Sequence, residues 1–336
     1  MKFGHVPLAD AIGSISAHAV RAGESVLRKG SRVTPEIAEK LQAAGVTGIV
    51  AATLDPDDVH EDEAAASLAA KLAGDGIRID PPFTGRANLF AQTNGVLRLD
   101  RALIDAVNAV DEAITFATLP AFRPVSVGEM VATVKIIPYA VPRAALGAAM
   151  AQVGAPLISI APYARRRVAA ISTLLPGLKP SVVAKTIDVL SQRLLPAEAE
   201  VVFEERVPHE TQPLADALRR ALAASPDIVI VFGASAISDR RDVIPAAVEA
   251  AGGRIEHLGM PVDPGNLLLI AELGNSPVLG APGCARSPKE NGFDWVLQRL
   301  LAGLPVGRTE VVAMGVGGLL MEIKSRPQPR AEPPRK

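Results

Sequence analysis

Hydrophobic and polar positions change rhythm partway along the chain. From about residue 165 onward, short apolar runs alternate with helical patterns. RRVAAIST (166–173), AEVVFEERV (199–207), DIVIVF (227–232), RIEHLGM (254–260), LLLIAEL (267–273) and SPVLGAP (276–282) read as strands. Between and after them, PSVVAKTIDVLSQRLLP (180–196), HETQPLADALRRALAAS (209–225), PAAVEAAGG (245–253) and GFDWVLQRLLAGL (292–304) carry helical spacing. Gly252 sits where the third of these helices should stop. Strands alternating with helices of this length predict a three-layer α/β/α domain on a largely parallel sheet.

The first part of the chain is less regular and predicts a mixed α+β domain. VPLADAIGSISAHAV (6–20) spaces its apolar residues as a helix would. Thr34, Pro35 and Glu36 supply an N-cap, a proline at the first helical position and a first-turn acid, and Gly45 ends that helix. VTGIVAA (46–52) then reads as a strand, and residues 55–74 as an acidic start leading into an alanine-rich helix. Residues 95–119 read as a strand or turn followed by a helix, and 125–141 as a strand. These readings divide the chain into 1–155, 160–325 and a proline-rich, charged tail at 326–336 that is expected to be disordered.

Composition narrows the function. Across 336 residues, apolar types make up 49%, enough for a large core, and the formal net charge is -1. Nucleic acid is not the expected partner, because such surfaces leave a basic excess and stacking platforms need more than 3% aromatics. The single cysteine, Cys284, excludes an internal disulfide and a multi-cysteine zinc site, and fits a reducing cytoplasm. MKFGHVPLADAIG is not a signal peptide, and no apolar run approaches the ~18 residues of a membrane span.

Ligands of parallel α/β sheets bind at the carboxyl ends of strands. Two loops of small residues occupy such places. Gly233, Ala234, Ser235 and Ser238 follow DIVIVF; Pro282, Gly283, Cys284, Arg286 and Ser287 follow SPVL. Small residues let backbone N–H groups approach an anion. Arg240, Arg241, Arg286 and Lys289 bring cations suited to phosphate. Asp239 and Asp242 are candidates for a metal, a ligand amide or a hydroxyl; equally, Asp239 caps the next helix and the arginines are solvated. Pro264, Gly265 and Asn266 form a rigid turn that either lines a cleft or merely reverses the chain. Cys284 reads more readily as loop filler than as a nucleophile. His209 and Glu210, at a strand end, suit acid–base work or a plain helix start. GVGGLL (315–320) is too short for a dinucleotide loop, PGLKPS (176–181) lacks the P-loop ending, and there is no GxSxG elbow.

Taken together, Gly233-Ala234-Ser235, Arg241-Asp242-Val243-Ile244-Pro245, Pro264-Gly265-Asn266, Ala281-Pro282-Gly283-Cys284, VAAISTLLPG (168–177) and VPHE (207–210) resemble the molybdopterin-binding domain of the MoeA/MogA (gephyrin-like) family. The order and spacing match over about 165–303, and the N-terminal stretch is similar to the lead-in of the MoeA branch. The whole chain looks most like the MoeA-like domain that some bacteria fuse to a molybdopterin cytidylyltransferase-type enzyme. The resemblance implies a role in molybdenum cofactor biosynthesis, with the pterin phosphate on the N–H groups of Gly233 to Ser238 and charge neutralised by Arg240, Arg241 and Arg286. It also implies ligand contacts from Ser172, Thr173, Ser235, Pro264, Gly265, Asn266 and the 282–287 loop. Asp242, with Asp239, would serve catalysis, and Asp242 would hold Mg²⁺. The chain would act either as a molybdate or nucleotidyl transferase, or as a carrier handing the pterin to a nucleotidyltransferase or apo-molybdoenzyme. Self-association is expected. The chain departs from the family pattern at Ala234, at His209 in place of an acid, at Leu174-Leu175 and at Cys284.

Overall fold

The computed structural model of the protein describes residues 1–22 and 25–320, so the expected tail at 326–336 lies outside the described residues. Two compact units divide the chain, Met1–Pro162 and Tyr163–Lys336.

In the first unit, the alanine-rich helix Glu61–Leu72 buries Ala64, Ala65, Leu68, Ala69 and Leu72. It packs on an antiparallel sheet in which Met130–Ile136 pairs with Arg86–Ala91 and Ile114–Thr118. Small alanines let the helix lie close to the strands. A separate cluster forms around the helix Pro35–Ala43, where the Thr34 hydroxyl accepts the Ile37 N–H at 3.4 Å. Gly45 ends that helix with φ +80°, as the sequence predicts. The stretch 6–20 departs from its helical spacing. It finishes the strand Lys2–Pro7, makes a single 3-10 turn at Leu8–Asp10, and pairs Ile15 and Ser16 with Ala52 and Ala51. Gly13, at φ +87°, turns the chain where a helix would have to continue. Ile114–Thr118 is likewise a strand of its own rather than the end of the preceding helix, which stops at Asn108.

The second unit follows the predicted alternation. Its strands are β1 (Arg167–Leu174), β2 (Glu200–Pro208), β3 (Ile228–Phe232), β4 (Arg254–Leu258), β5 (Leu269–Leu273) and β6 (Ser276–Ala281). Its helices of two turns or more are α1 (Pro180–Leu194), α2 (Thr211–Ala223), α3 (Val243–Ala250) and α4 (Gly292–Leu301). The sheet order is β2-β1-β3-β6-β5-β4. β1 pairs in parallel with β2 and β3, β3 pairs in parallel with β6, and β5 is antiparallel to both its neighbours. β3 is buried at every position, as a strand covered on both faces must be. Alternation places Val229 and Val231 in the cluster with Leu214, Leu218, Ile244 and Val248 of α2 and α3. Phe232 points the other way and meets Phe293 of α4, ring centroids 6.4 Å apart. The start of α4 is fixed by reciprocal bonds between Asn291 and Asp294, a complete capping box.

Because β1 leads to β2 on one side and β3 lies on the other, the chain reverses its winding between β1 and β3. Such a switch point opens a crevice at the carboxyl ends of the two strands. Phe232 sits at its floor and is 2% exposed. Phe232→Ala is expected to cost about 3–5 kcal/mol. The denaturant midpoint should fall accordingly, and the Phe232→Ala/Phe293→Ala double variant should lose less than the sum, because the two rings share one contact.

Candidate functional site

The β1–β3 ladder ends at the Ser172–Phe232 pair. One step further, a side chain takes over from the backbone. The Thr173 hydroxyl, fully buried, accepts the Ala234 N–H at 2.8 Å and lies 2.8 Å from His209 Nδ1. His209 reaches it from the end of β2, its own N–H donating to the Leu174 carbonyl at 2.9 Å. On the far side of the ring, Nε2 stands 3.0 Å from Ser235 Oγ. Thus Thr173, His209 and Ser235, drawn from three separate segments, form one hydrogen-bonded chain across the mouth of the crevice. The sequence marks His209 as a departure from an acid but gives no sign of its partners.

The loop 233–242 is held close to the sheet by packing. A side chain at Gly233 would meet Ile244 Cδ1 at 2.7 Å and the Ser235 carbonyl at 2.7 Å. Ile237 is 3% exposed and fits against Gly280, where a Cβ would stand 2.6 Å from Ile237 Cδ1. Asp242 caps α3: its carboxylate accepts the N–H of Val243 at 2.8 Å and of Ser238 at 3.2 Å. Asp239 pairs instead with Arg241, at 2.8 Å to Nε, and also accepts the Arg241 N–H at 2.9 Å. The cap therefore falls to Asp242, three residues after the alternative, Asp239. That leaves the N–H groups of Ser235, Ala236 and Ile237 with no acceptor among the described residues.

The cations divide into three kinds. Arg241 is 92% exposed, and its bond to Asp239 holds that carboxyl below the usual range. Arg240 is exposed; with burial and Arg308, its charge lowers the pKa of His257. Arg286 is different. It donates to the Gly233 carbonyl at 2.8 Å and to Thr186 Oγ1 at 3.0 Å, and lies over the Phe232 ring at 5.9 Å. Burial depresses its pKa, and no carboxylate pairs with it among the described residues. A partly buried guanidinium without an acid leaves positive potential beside the crevice.

The remaining expected residues serve the frame around the loop. Ser172 is buried on the opposite face of β1 from Thr173, and its hydroxyl has no partner among the described residues. Gly265, with φ +143°, lets the 260–266 turn touch α4, where the Gly292 N–H donates to the Pro264 carbonyl at 2.8 Å. Asn266 holds that turn through Nδ2 to the Met260 carbonyl at 3.3 Å. In the 282–287 loop, Pro282 precedes a 3-10 turn at Gly283–Arg286, and Cys284 Sγ lies 3.6 Å from Asn291 Oδ1. Arg193, which the sequence reading passes over as an ordinary helix residue, organises this loop. It pairs with Asp294 and donates to the carbonyls of Ala285 and Ser287, both at 2.7 Å.

A Mg²⁺ ion needs oxygen ligands, most readily carboxylates with a ligand phosphate. Asp242 already accepts two N–H bonds, and the nearby Asp239 is occupied by Arg241. No group of three metal-ligating side chains occurs among the described residues. As bonded here, neither acid offers a carboxylate free of the loop's own bonds for a Mg²⁺ ion. If Asp242 is a cap, Asp242→Ala should lower stability by about 1 kcal/mol in urea titration, while Asp242→Asn should stay within a few tenths of wild type.

Comparisons with known proteins bear on this unit. No curated protein sequence matches the chain. Among solved structures, a molybdopterin biosynthesis MoeA protein from Pyrococcus horikosii is 17% identical, with 90% of this chain and 75% of that one covered, at a TM-score of 0.30. A molybdenum cofactor biosynthesis protein from Pyrococcus furiosus is 13% identical, covering 93% of this chain and 65% of that one, at a TM-score of 0.26. The protein CinA from Thermoplasma acidophilum is 19% identical over 38% of this chain and 91% of that one, at a TM-score of 0.27. These scores are too low to carry an argument. The family match is more direct: residues 171–303, which hold the whole crevice and both loops, match the family described as "Probable molybdopterin binding domain".

Proposed function

We propose that the β1–β3 crevice binds molybdopterin through its phosphate and that the protein serves molybdenum cofactor biosynthesis. The observation that carries this is the run of N–H groups at Ser235, Ala236 and Ile237, with no acceptor among the described residues, beside Arg286, which has no acid partner among them. Backbone donors held by a rigid loop meet an anion without reorganising, and a guanidinium in partly dry surroundings adds attraction. The family match over 171–303 supports the choice of pterin over another phosphorylated ligand. In this reading the unit is a three-layer α/β/α domain. Ser238, Arg240 and Arg241 stand at the rim, and the 260–266 and 282–287 turns hold the far wall.

Carriage is favoured over transfer. Transfer of molybdate or a nucleotidyl group calls for acids and a divalent ion, whereas Asp242 is engaged as a helix cap and Asp239 by an arginine. The departure from an acid to His209 removes a further carboxylate from the mouth. A carrier would hand its pterin to a nucleotidyltransferase or an apo-molybdoenzyme, and a homo-oligomer is the expected form. Incubation with adenylylated molybdopterin, molybdate and Mg²⁺ should give no product at useful rates; turnover would return the protein to the transferases.

Binding itself has a direct test. Protein purified from a host that makes molybdopterin, then oxidised, should release fluorescent pterin at about one per chain, the stoichiometry of one preformed anion site. Arg286→Ala should lower retention about 10-fold or more, because a charge-assisted bond is worth about 1.5–3 kcal/mol. Arg241→Ala, fully solvated and already paired, should change it far less. Pterin-free wild-type protein, properly folded, would refute the reading.

A further inference from the structure

The Thr173–His209–Ser235 chain has a direction, and that direction decides what Ser235 does. Thr173 Oγ1 spends one lone pair on the Ala234 N–H. Its own proton, in a fully buried hydroxyl, has one acceptor among the described residues, His209 Nδ1 at 2.8 Å. A neutral imidazole that accepts at Nδ1 carries its proton at Nε2. Nε2 then donates to Ser235 Oγ at 3.0 Å. Ser235 has spent a lone pair on that bond, its side chain is exposed, and its hydroxyl proton has no acceptor within the described chain. The opposite tautomer would aim Nδ1–H at Thr173 and strand the threonine proton in the core without an acceptor, which is the costly arrangement for a buried group.

The geometry points to a one-way donor relay, from Ala234 through Thr173 and His209 to Ser235, that fixes the Ser235 hydroxyl as a hydrogen-bond donor into the crevice. His209 is a positioning residue, and Ser235 is the residue that touches the ligand. The relay also separates this site from a nucleophile–base pair: a serine activated for attack must donate to its histidine, and here it accepts. Alongside it stand the N–H groups of Ser235, Ala236 and Ile237, which have no acceptor among the described residues. A hydroxyl oriented in this way favours a ligand group that accepts, such as the ionised oxygens of a phosphate monoester, over one that presents a proton to Ser235. This selectivity rests on the crevice being the binding site; the tautomer does not.

Long-range proton–nitrogen correlation NMR on uniformly ¹⁵N-labelled, ligand-free protein reads the tautomer directly, with the His209→Gln spectrum identifying the ring. The relay requires the Nε2–H pattern at neutral pH, with a shift toward a tautomer mixture in Thr173→Val. An Nδ1–H pattern in wild type overturns it. Inorganic phosphate, titrated into the same samples, tests delivery. Ser235→Ala and His209→Ala should each weaken phosphate binding about 3-fold to 10-fold, the range of one neutral hydrogen bond. His209→Gln, whose amide still donates to Ser235, should recover most of the loss. Wild-type phosphate affinity in Ser235→Ala, a surface change that leaves the fold intact, overturns delivery even if the tautomer stands. Loss of pterin retention with an intact Nε2–H signal in wild type would fault the pterin assignment and leave the relay in place.

Discussion

The bond from the Ala234 N–H to the Thr173 hydroxyl is the interaction on which the crevice depends. Parallel strands separated by a switch point must part somewhere, and beyond the last pair the Ala234 N–H needs an acceptor that the ladder does not give. Left unsatisfied, it would have to turn toward solvent and carry the loop away from the sheet. Thr173 satisfies it from the neighbouring strand without adding another residue pair. Threonine suits the task twice over: its β-branch fits a buried strand, and its hydroxyl can receive and donate at once. Held there, the loop is further clamped by Ile237 against Gly280 and by Gly233 against Ile244. The N–H groups between those clamps are free because neither clamp uses them.

The charged cluster after β3 now separates into parts with unrelated causes. Two acids and two arginines in a row suggest a charged site, but only their neighbours decide what each does. Asp242 is spent on the start of α3, where it meets orphan N–H groups and the helix dipole. Asp239 and Arg241 neutralise one another in solvent, where such a pair adds little stability. In the proposed reading the useful cation comes from elsewhere in the chain, from Arg286, because burial beside Phe232 and the absence of an acid partner among the described residues preserve its field. Exposure, more than the presence of an arginine, separates the cation that this reading assigns to the ligand from the solvated ones.

This explains which features were legible in the sequence. The alternation of β1 to α4 was, because strands buried along their length, β1 and β3 above all, become near-continuous apolar runs. The loops at 233–242 and 282–287 were, because close backbone packing demands small residues. Stretch 6–20 was not: Leu8, Ala11 and Ile15 are buried at helical intervals, yet Gly13 and pairing with residues 51–52 impose short strands. Local spacing cannot see a partner strand so far along the chain. The same distance hid the relay. Thr173 and His209 are 36 positions apart, and His209 and Ser235 are 26 apart. Each looks ordinary in its own segment. Arg193 was hidden in a similar way, since nothing in a helical KTIDVLSQRL pattern marks one arginine for burial against a loop almost a hundred residues later.

The resemblance places an acid where this chain has His209, and the exchange has a consequence for the charge of the mouth. A carboxylate at the end of β2 would accept from both Thr173 and Ser235, drawing the Ser235 proton inward and leaving a negative charge at the mouth. An anionic ligand would then need a cation between itself and that charge. A neutral imidazole accepts on one side and donates on the other, so it transmits the polarity of the buried threonine to the surface without adding charge. The same mouth can then meet an anion directly through N–H and O–H donors. In the proposed reading, exchanging one acid for a histidine removes a negative charge from the mouth and leaves the anion to the hydrogen-bond donors and the Arg286 charge. In that reading the site suits reversible holding better than group transfer, because both nearby acids, Asp239 and Asp242, are engaged by bonds within the loop.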